Sequence, residues 1–282
     1  MARIVGSIMT SHVPAIGAAI ARGVQAQPYW QAFFAGFPPV HEWLARVRPE
    51  VAVVFYNDHG LNFFLDKMPT FAVGAAAEYR NADEGWGLPV SAPFRGDPEL
   101  SWHLIESVVG EDFDLTTCQE MLVDHAFTVP MKLLWPQGPC PVRTVPIAIN
   151  TVQHPLPSAA RCQALGAAVG RAIESFPQDT RVVILGTGGL SHQLDGERAG
   201  HINKEFDLLC LDKLGTDPGF LTRYSNRELV ALAGTQGVEI LMWIAARAAL
   251  LHEPRELHRN YHIPISNTAA GLLLLENAAA RA

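Results

Sequence analysis

Three stretches of this chain carry a histidine off the end of an apolar run: "RIVGSIMTSH" ends at His12, "VAVVFYNDH" at His59, and "RVVILGTGGLSH" at His192. An imidazole titrates near neutral pH and, when neutral, binds divalent cations, so it serves both proton transfer and metal binding. In open α/β sheets ligands sit beyond the carboxyl ends of the strands. Parallel neighbours would therefore direct all three histidines at one crevice. A single histidine in such a place is usually an ordinary surface or core residue; three from separate segments point to a shared site. A fourth candidate is Glu239 in "TQGVEILMWIAARAAL", the only charge between Glu228 and Arg247. It falls in helical register with Met242, Trp243 and Ala246. If that face is buried, an unpaired carboxylate there costs several kcal/mol or takes up a proton. A metal ion would resolve the cost. The competing explanation is that Glu239 merely opens the helix after Gly237 and favours its dipole.

Two histidines and one carboxylate form a facial triad, which leaves open positions on non-haem iron(II) for a substrate and for oxygen. The same donors could hold zinc for hydrolysis. Spacing does not choose between the metals, nor does it say which histidines are ligands.

The elements that must position these groups read as an α/β pattern. "ARIVGSIM", "VAVVFY", "PTFAVG", "VRTVPIAIN" and the start of "TRVVILGTGG" are strands. "VAVVFY" is a continuous apolar run, as expected of a strand covered on both faces. "PPVHEWLARVRPE", "PELSWHLIESVVG", "SAARCQALGAAVGRAIESF", "NKEFDLLCLDKLG" and "TQGVEILMWIAARAALL" are helices, and Leu100, Leu104 and Val108 share a face. "ADEGWGLPVSAPFRGDP" is a long loop dense in glycine and proline. The alternation predicts one domain over 1–282 with a mostly parallel or mixed sheet and helices on both faces. "NAAARA" at the end is expected to fray.

Composition narrows the function. The chain has 282 residues, 49% of them hydrophobic and only 17% charged, with a net charge of −7. A core of useful size is available, and nucleic acid is excluded as the main partner by the acidic balance. No apolar run is long enough to cross a bilayer, and Ser11, His12 and Pro14 come too early for a signal peptide, so a cytoplasmic location is expected. Cys118, Cys140, Cys162 and Cys210 are widely spaced, without a C-x-x-C pair, and read as free thiols.

Taken together, "TSHVPAIGAAI", "YNDH", "PTFAVG", "ADEGWG", "VDHAFTVP", "GTGGLSHQLDGERAG", "NKEFD", "GVEILMW" and "HIPISNTA" resemble the class III extradiol ring-cleaving dioxygenases. The likeness is to the β subunit of protocatechuate 4,5-dioxygenase and its gallate-cleaving relatives, and it spans residues 10 to 270. The resemblance implies that His12, His59 and Glu239 bind Fe(II) and that His192 is the acid–base histidine beside the metal. It places His125 near the substrate hydroxyls and Ser266 and Asn267 at the ring carboxylate. It implies O2 and a catecholic acid as partners: protocatechuate first, gallate or 3-O-methylgallate next. It also implies a small helical α subunit as a possible lid, and a homo- or hetero-oligomer. "SNTAAGLLLLE" has a physical reading of its own: a helix capped by Ser266 or Asn267, whose N-terminus would bind an anion. Ala126 and Phe127, and the loop after Trp86, depart from the family pattern and are expected to reshape the pocket.

Three rivals stand beside this. One is a zinc hydrolase on the same ligands. Another is a nucleotide site at "GTGGLS", against which the lack of an apolar helix after it speaks. The third is a non-catalytic scaffold. The glycines of "GTGG" are expected to let the backbone turn so that His192 faces the site.

Overall fold

A computed structural model describes residues 1–85, 88 and 90–278. In chain order the elements are β1 (Arg3–Thr10), α1 (Pro14–Ala21), α2 (Pro28–Phe34), α3 (Pro38–Val47), β2 (Val51–Tyr56), β3 (Phe71–Gly74), β4 (Glu78–Asn81) and β5 (Phe94–Arg95). Next come α4 (Pro98–Val109), β6 (Thr116–Cys118), β7 (Leu122–Val123), α5 (His125–Leu134), β8 (Arg143–Ile149), α6 (Ala159–Ser175) and β9 (Arg181–Thr187). The chain closes with α7 (Lys204–Thr216), α8 (Asn226–Ala233), α9 (Ile240–Ala248), β10 (Arg255–Ile265) and β11 (Thr268–Glu276).

Eight strands form a mixed sheet in the order β10-β11-β1-β9-β2-β8-β3-β6. Its centre, β1-β9-β2-β8, is parallel, while β11 runs antiparallel to β1 and β3 antiparallel to β8. The expected α/β architecture is thus present. So is the adjacency that the histidine argument needed: β1, β9 and β2, which precede His12, His192 and His59, are parallel neighbours.

The apolar run "VAVVFY" shows why the sheet is covered twice. Val51, Val53 and Phe55 enter a core shared with α4, α6, α7 and α9. Ala52, Val54 and Tyr56 enter a second core shared with α1, α2, α3 and α5. Side chains of a strand alternate in direction, so a strand with helices on both faces has no position left for a polar residue. Four of the helices start on proline, which fixes φ for a first turn and gives up only an N–H that has no intrahelical partner. Pro14 is one of these. It turns the chain two residues after His12 and leaves that histidine in the gap between strand and helix.

Two expectations need correction. No helix begins at Ser266. Residues 268–276 are strand β11, and Ser266 and Asn267 form the turn of the β10–β11 hairpin, with φ of 49° and 60°. Positive φ at both central residues is the hairpin-turn combination, and asparagine tolerates it. "AAGLLLLE" is buried at every position because its two faces enter the two cores, Leu273 and Leu275 the first and Leu272 and Leu274 the second. An all-apolar run of this length carries no period that separates strand from buried helix. The second correction concerns the chain end. Asn277 is buried, and its side-chain amide donates to the Ile4 carbonyl at 3.0 Å. Ala278 is exposed, and 279–282 of the stretch expected to fray lie outside the described residues.

Helix α9 is held against α6 by small residues. A Cβ on Gly166 would lie 2.0 Å from the Ala245 carbonyl oxygen, and one on Gly170 2.4 Å from that of Ala249. In an ordinary helix, alanine for glycine stabilises by about 1 kcal/mol. Here the backbone contact reverses the sign. Gly166→Ala is expected to destabilise the protein by about 1–3 kcal/mol, as overpacking does, read as a lower denaturant midpoint. An unchanged or higher midpoint would mean that the two helices part easily.

Candidate metal centre

His12 and His59 meet Glu239 at the carboxyl ends of the central strands. His12 Nε2 lies 3.4 Å from Glu239 Oε2, and His59 Nε2 lies 3.7 Å from Glu239 Oε1. Each imidazole is turned by a bond at its other nitrogen. His12 Nδ1 is 3.2 Å from the Thr187 hydroxyl, and His59 Nδ1 is 2.9 Å from Asp124 Oδ2. A partner at Nδ1 fixes the ring so that Nε2 points to the centre, the arrangement of metal-binding histidines.

Glu239 reaches this place by an unexpected route. It does not lie inside a long helix: it closes a single 3-10 turn, Gly237–Glu239, and stands immediately before α9. The expected burial is present, but α9 is buried from Ile240 to Arg247, so burial follows from its central position and not from one apolar face. The carboxylate points at the turn after β9. Gly189 N–H donates to Glu239 Oε2 at 2.8 Å. Gly188 has φ of 137°, and a Cβ there would lie 2.9 Å from Glu239 Cβ. The glycines of "GTGG" therefore do more than aim His192: they make room for the acid and donate to it.

Asp124 was not foreseen. It caps α5 by accepting from Ala126 N–H with Oδ1, while Oδ2 accepts from both the backbone N–H and Nδ1 of His59. The readable signal was an aspartate just before a helical stretch, "DHAFTVP", where a cap is favoured. His125 opens α5 and stacks on His59 with ring centroids 4.1 Å apart. Its Nδ1 pairs with Glu84 Oε1 at 2.6 Å. Ala126 and Phe127 do not reach the pocket, contrary to expectation. Both are fully buried, and Phe127 packs on Tyr56 and Phe94. Trp86, named with the variable loop, lies outside the described residues.

These groups line a cavity of about 690 Å³, which also takes in His125, His192, Ser266 and Thr268. Asn267 is exposed and is not among the lining residues. Among the described lining residues there is no lysine or arginine. His192 is buried, and neither of its ring nitrogens has a hydrogen-bond partner among the described residues.

The titration of the site follows from this composition. Burial pulls His59 down, but the charge and hydrogen bond of Asp124, then Glu239, outweigh it and lift the imidazole to about 10. Burial likewise works against the charge on Glu239, and the imidazoles of His12 and His59 overcome it, holding the carboxyl well below its usual range. Burial is the main cause that lowers His192 and His125, which are therefore neutral near pH 7.

The donor set fits a divalent cation. Two donors each about 2.1 Å from one ion lie roughly 3.0–3.4 Å apart at right-angled to tetrahedral geometry; the separations at Glu239 are 3.4 and 3.7 Å, one to each carboxylate oxygen, so each oxygen faces one imidazole. Two other groupings each offer three ligand atoms within 4.8 Å of one another: His12, His59 and His125, and Glu84, Asp124 and His125. Three neutral imidazoles around an ion would still leave the Glu239 carboxylate beside it, so the set containing Glu239 satisfies the charges better.

Comparison with known proteins gives the family. The family model for the catalytic LigB subunit of aromatic ring-opening dioxygenase matches residues 6–271. The chain belongs to that family. It is 40% identical over 197 residues to the gallate dioxygenase of Pseudomonas putida, a match covering 70% of this chain and 58% of that protein. It is 30% identical over 284 residues to a 2,3-dihydroxyphenylpropionate/2,3-dihydroxicinnamic acid 1,2-dioxygenase of Rhodococcus jostii, covering 85% and 87% of the two chains. Among solved structures, an uncharacterized protein of Escherichia coli K12 superposes with a TM-score of 0.57 at 12% identity, over 96% of this chain and 99% of that one. This last likeness concerns the fold alone.

Two substitutions test the site without reference to any reaction. Glu239→Ala should keep the folded circular-dichroism spectrum and abolish tight binding of Fe(II) or Zn(II) in anaerobic titration. Asp124→Asn should weaken the same binding about 10–100-fold, as loss of a carboxylate behind a ligating histidine does. Wild-type affinity in either variant would remove that residue from the metal centre.

Proposed function

We propose that the protein is an Fe(II)-dependent extradiol dioxygenase that opens the ring of a catecholic acid, with His12, His59 and Glu239 as the metal ligands. The observation that carries this reading is the meeting of two imidazoles and one buried carboxylate in a cavity large enough for an aromatic acid. Iron bound there would supply adjacent positions for the two catechol oxygens and for dioxygen, together with the one-electron chemistry that dioxygen requires.

The protein's own groups would handle protons and orientation. His192, neutral and with neither nitrogen paired among the described residues, can accept a proton from a substrate hydroxyl at one ring nitrogen and return it later. His125 is held by Glu84 through Nδ1 and lines the same cavity. Ser266, on the hairpin turn at the cavity mouth, is the candidate for the ring carboxylate; Asn267 would act through the turn geometry and not through direct contact. With the capped helix gone, recognition of the acid rests on such neutral polar groups and on the cation.

Among substrates, the similarity to the Pseudomonas putida gallate dioxygenase favours gallate over protocatechuate, with 3-O-methylgallate as a further member of the class. Val152 and Leu194 line the cavity and are about half exposed. A cover from a small helical α subunit or from a second copy of the chain belongs to this proposal. No helix among the described residues is long and apolar enough to cross a membrane.

The test is oxygen uptake by anaerobically reconstituted protein given gallate, protocatechuate and 3-O-methylgallate in turn. Fe(II) should support uptake of one O2 per ring opened, and Zn(II) should not. Hydrolytic activity with zinc and no oxygen uptake with iron would put a hydrolase in its place. His192→Phe should retain the metal and lose about 10²–10⁴-fold in kcat, the usual contribution of a general acid–base group. Loss of the metal in that variant would instead make His192 a ligand.

A further inference from the structure

His192 has an unusual problem of position. Its side chain makes no hydrogen bond among the described residues, so nothing at the ring itself fixes where it points. Its aim must come from the backbone that carries it. That backbone belongs to no regular element, because β9 ends at Thr187 and α7 begins at Lys204.

The backbone is nevertheless pinned on every side. His192 N–H donates to the Ala233 carbonyl at 2.7 Å, and its own carbonyl accepts from Gln236 N–H at 3.1 Å. The Ser191 carbonyl accepts from Ala269 N–H at 2.9 Å. All of these are backbone bonds, which any sequence could supply. Two side chains complete the set: Glu239, which accepts from Gly189 N–H at 2.8 Å, and Asp207. Asp207 Oδ1 accepts from both the N–H and the hydroxyl of Ser191, each at 2.8 Å. Its other oxygen, Oδ2, accepts from the Tyr261 hydroxyl at 2.7 Å. The Ser191 hydroxyl in turn accepts from Asn203 N–H at 3.0 Å.

Asp207 thus joins the loop before His192, helix α7 and strand β10 through one carboxylate. It is 1% exposed, and no lysine or arginine pairs with it among the described residues. Burying a carboxylate without a cation costs several kcal/mol unless hydrogen bonds replace its hydration. Three donors converge on two oxygens here, as an ionised acid requires. A fold that only needed a helix packed on a strand would have no use for such a group. Its partner Ser191 is the residue immediately before the histidine. Asp207 is also the last residue of "NKEFD", a stretch for which the metal centre and the cavity have no role.

We propose that Asp207 is a positioning residue for the ring-opening reaction: through Ser191 and Tyr261 it holds the 189–192 turn so that His192 faces the ligands. Asp207 touches neither substrate nor metal. Its effect passes entirely through the aim of the imidazole, and this rests on the acid–base role proposed for His192.

A double-mutant cycle tests this directly. Asp207→Asn keeps shape and volume but cannot accept from all three donors. In the Fe(II) protein it should lower kcat at least about 10-fold, with KM and metal content within about twofold of wild type. In a His192→Phe background, followed under single-turnover conditions with excess enzyme, the same substitution should change the residual rate by less than about twofold. Residues that act through one group are non-additive in this way. An equal loss in both backgrounds, or no loss in either, would overturn the proposal and leave Asp207 a structural residue. If Asp207→Asn does not fold, Tyr261→Phe removes one of the three donors and enters the same cycle, with a smaller loss expected in the same pattern.

A second readout needs no turnover. In the Zn(II) protein the His192 ring resonance, assigned by its disappearance in His192→Phe, should move and broaden in Asp207→Asn while those of His12 and His59 stay in place. An unmoved His192 signal contradicts the proposal. Should the wild-type protein open no ring at all, the dioxygenase reading fails, and this spectrum still decides whether Asp207 positions His192.

Discussion

The structure is organised around one carboxylate that has no lysine or arginine beside it among the described residues. Glu239 is buried under the central strands, and its neighbours are imidazoles and a glycine N–H. A group in this position must be met by positive charge or give up its own. The rest of the centre follows from that requirement. The turn after β9 is glycine because Glu239 occupies the space a side chain would need. Helix α9 begins just beyond Glu239, so its N-terminal dipole favours the carboxylate. Gly166 and Gly170 let α6 lie close against the other end of that helix, at Ala245 and Ala249.

The second consequence is electrostatic. Two carboxylates, Asp124 and Glu239, bracket His59 and hold a proton on it to about pH 10. A divalent cation bound there would replace that proton and satisfy Glu239 in the same act. The remaining histidines of the cavity, His125 and His192, are kept neutral by burial. One small volume therefore offers anionic and neutral donors that suit a cation, and beside them a neutral imidazole with no hydrogen-bond partner among the described residues. Since no basic side chain lines the described cavity, an anionic substrate would depend on the cation for its charge and on polar groups such as Ser266 for its orientation.

Much of this was legible from residue order, because the relevant signals were local and strong. Uninterrupted apolar runs ending in histidine locate both the strands and the groups they deliver, and parallel pairing of β1, β9 and β2 brings the ends together. A lone acid in a long apolar segment marks Glu239. The failures have equally specific causes. "AAGLLLLE" is buried on both faces, so it lacks the alternation that would have shown a strand, and Ser266–Asn267 serves a hairpin turn as readily as a helix cap. Ala126 and Phe127 stand next to His125 in sequence, yet a helix turns successive residues about 100° apart and sends these two into the core. Asp124, Glu84 and Asp207 were invisible as functional groups because their partners lie 65, 41 and 16 residues away, and only the fold makes them neighbours.

The most direct test is crystallographic: anomalous diffraction at the iron edge from crystals loaded anaerobically with Fe(II). A single peak about 2.0–2.2 Å from His12 Nε2, His59 Nε2 and the Glu239 carboxylate is the predicted result. A peak bound to His125 in place of Glu239, or no ordered iron between the three side chains, would contradict the account.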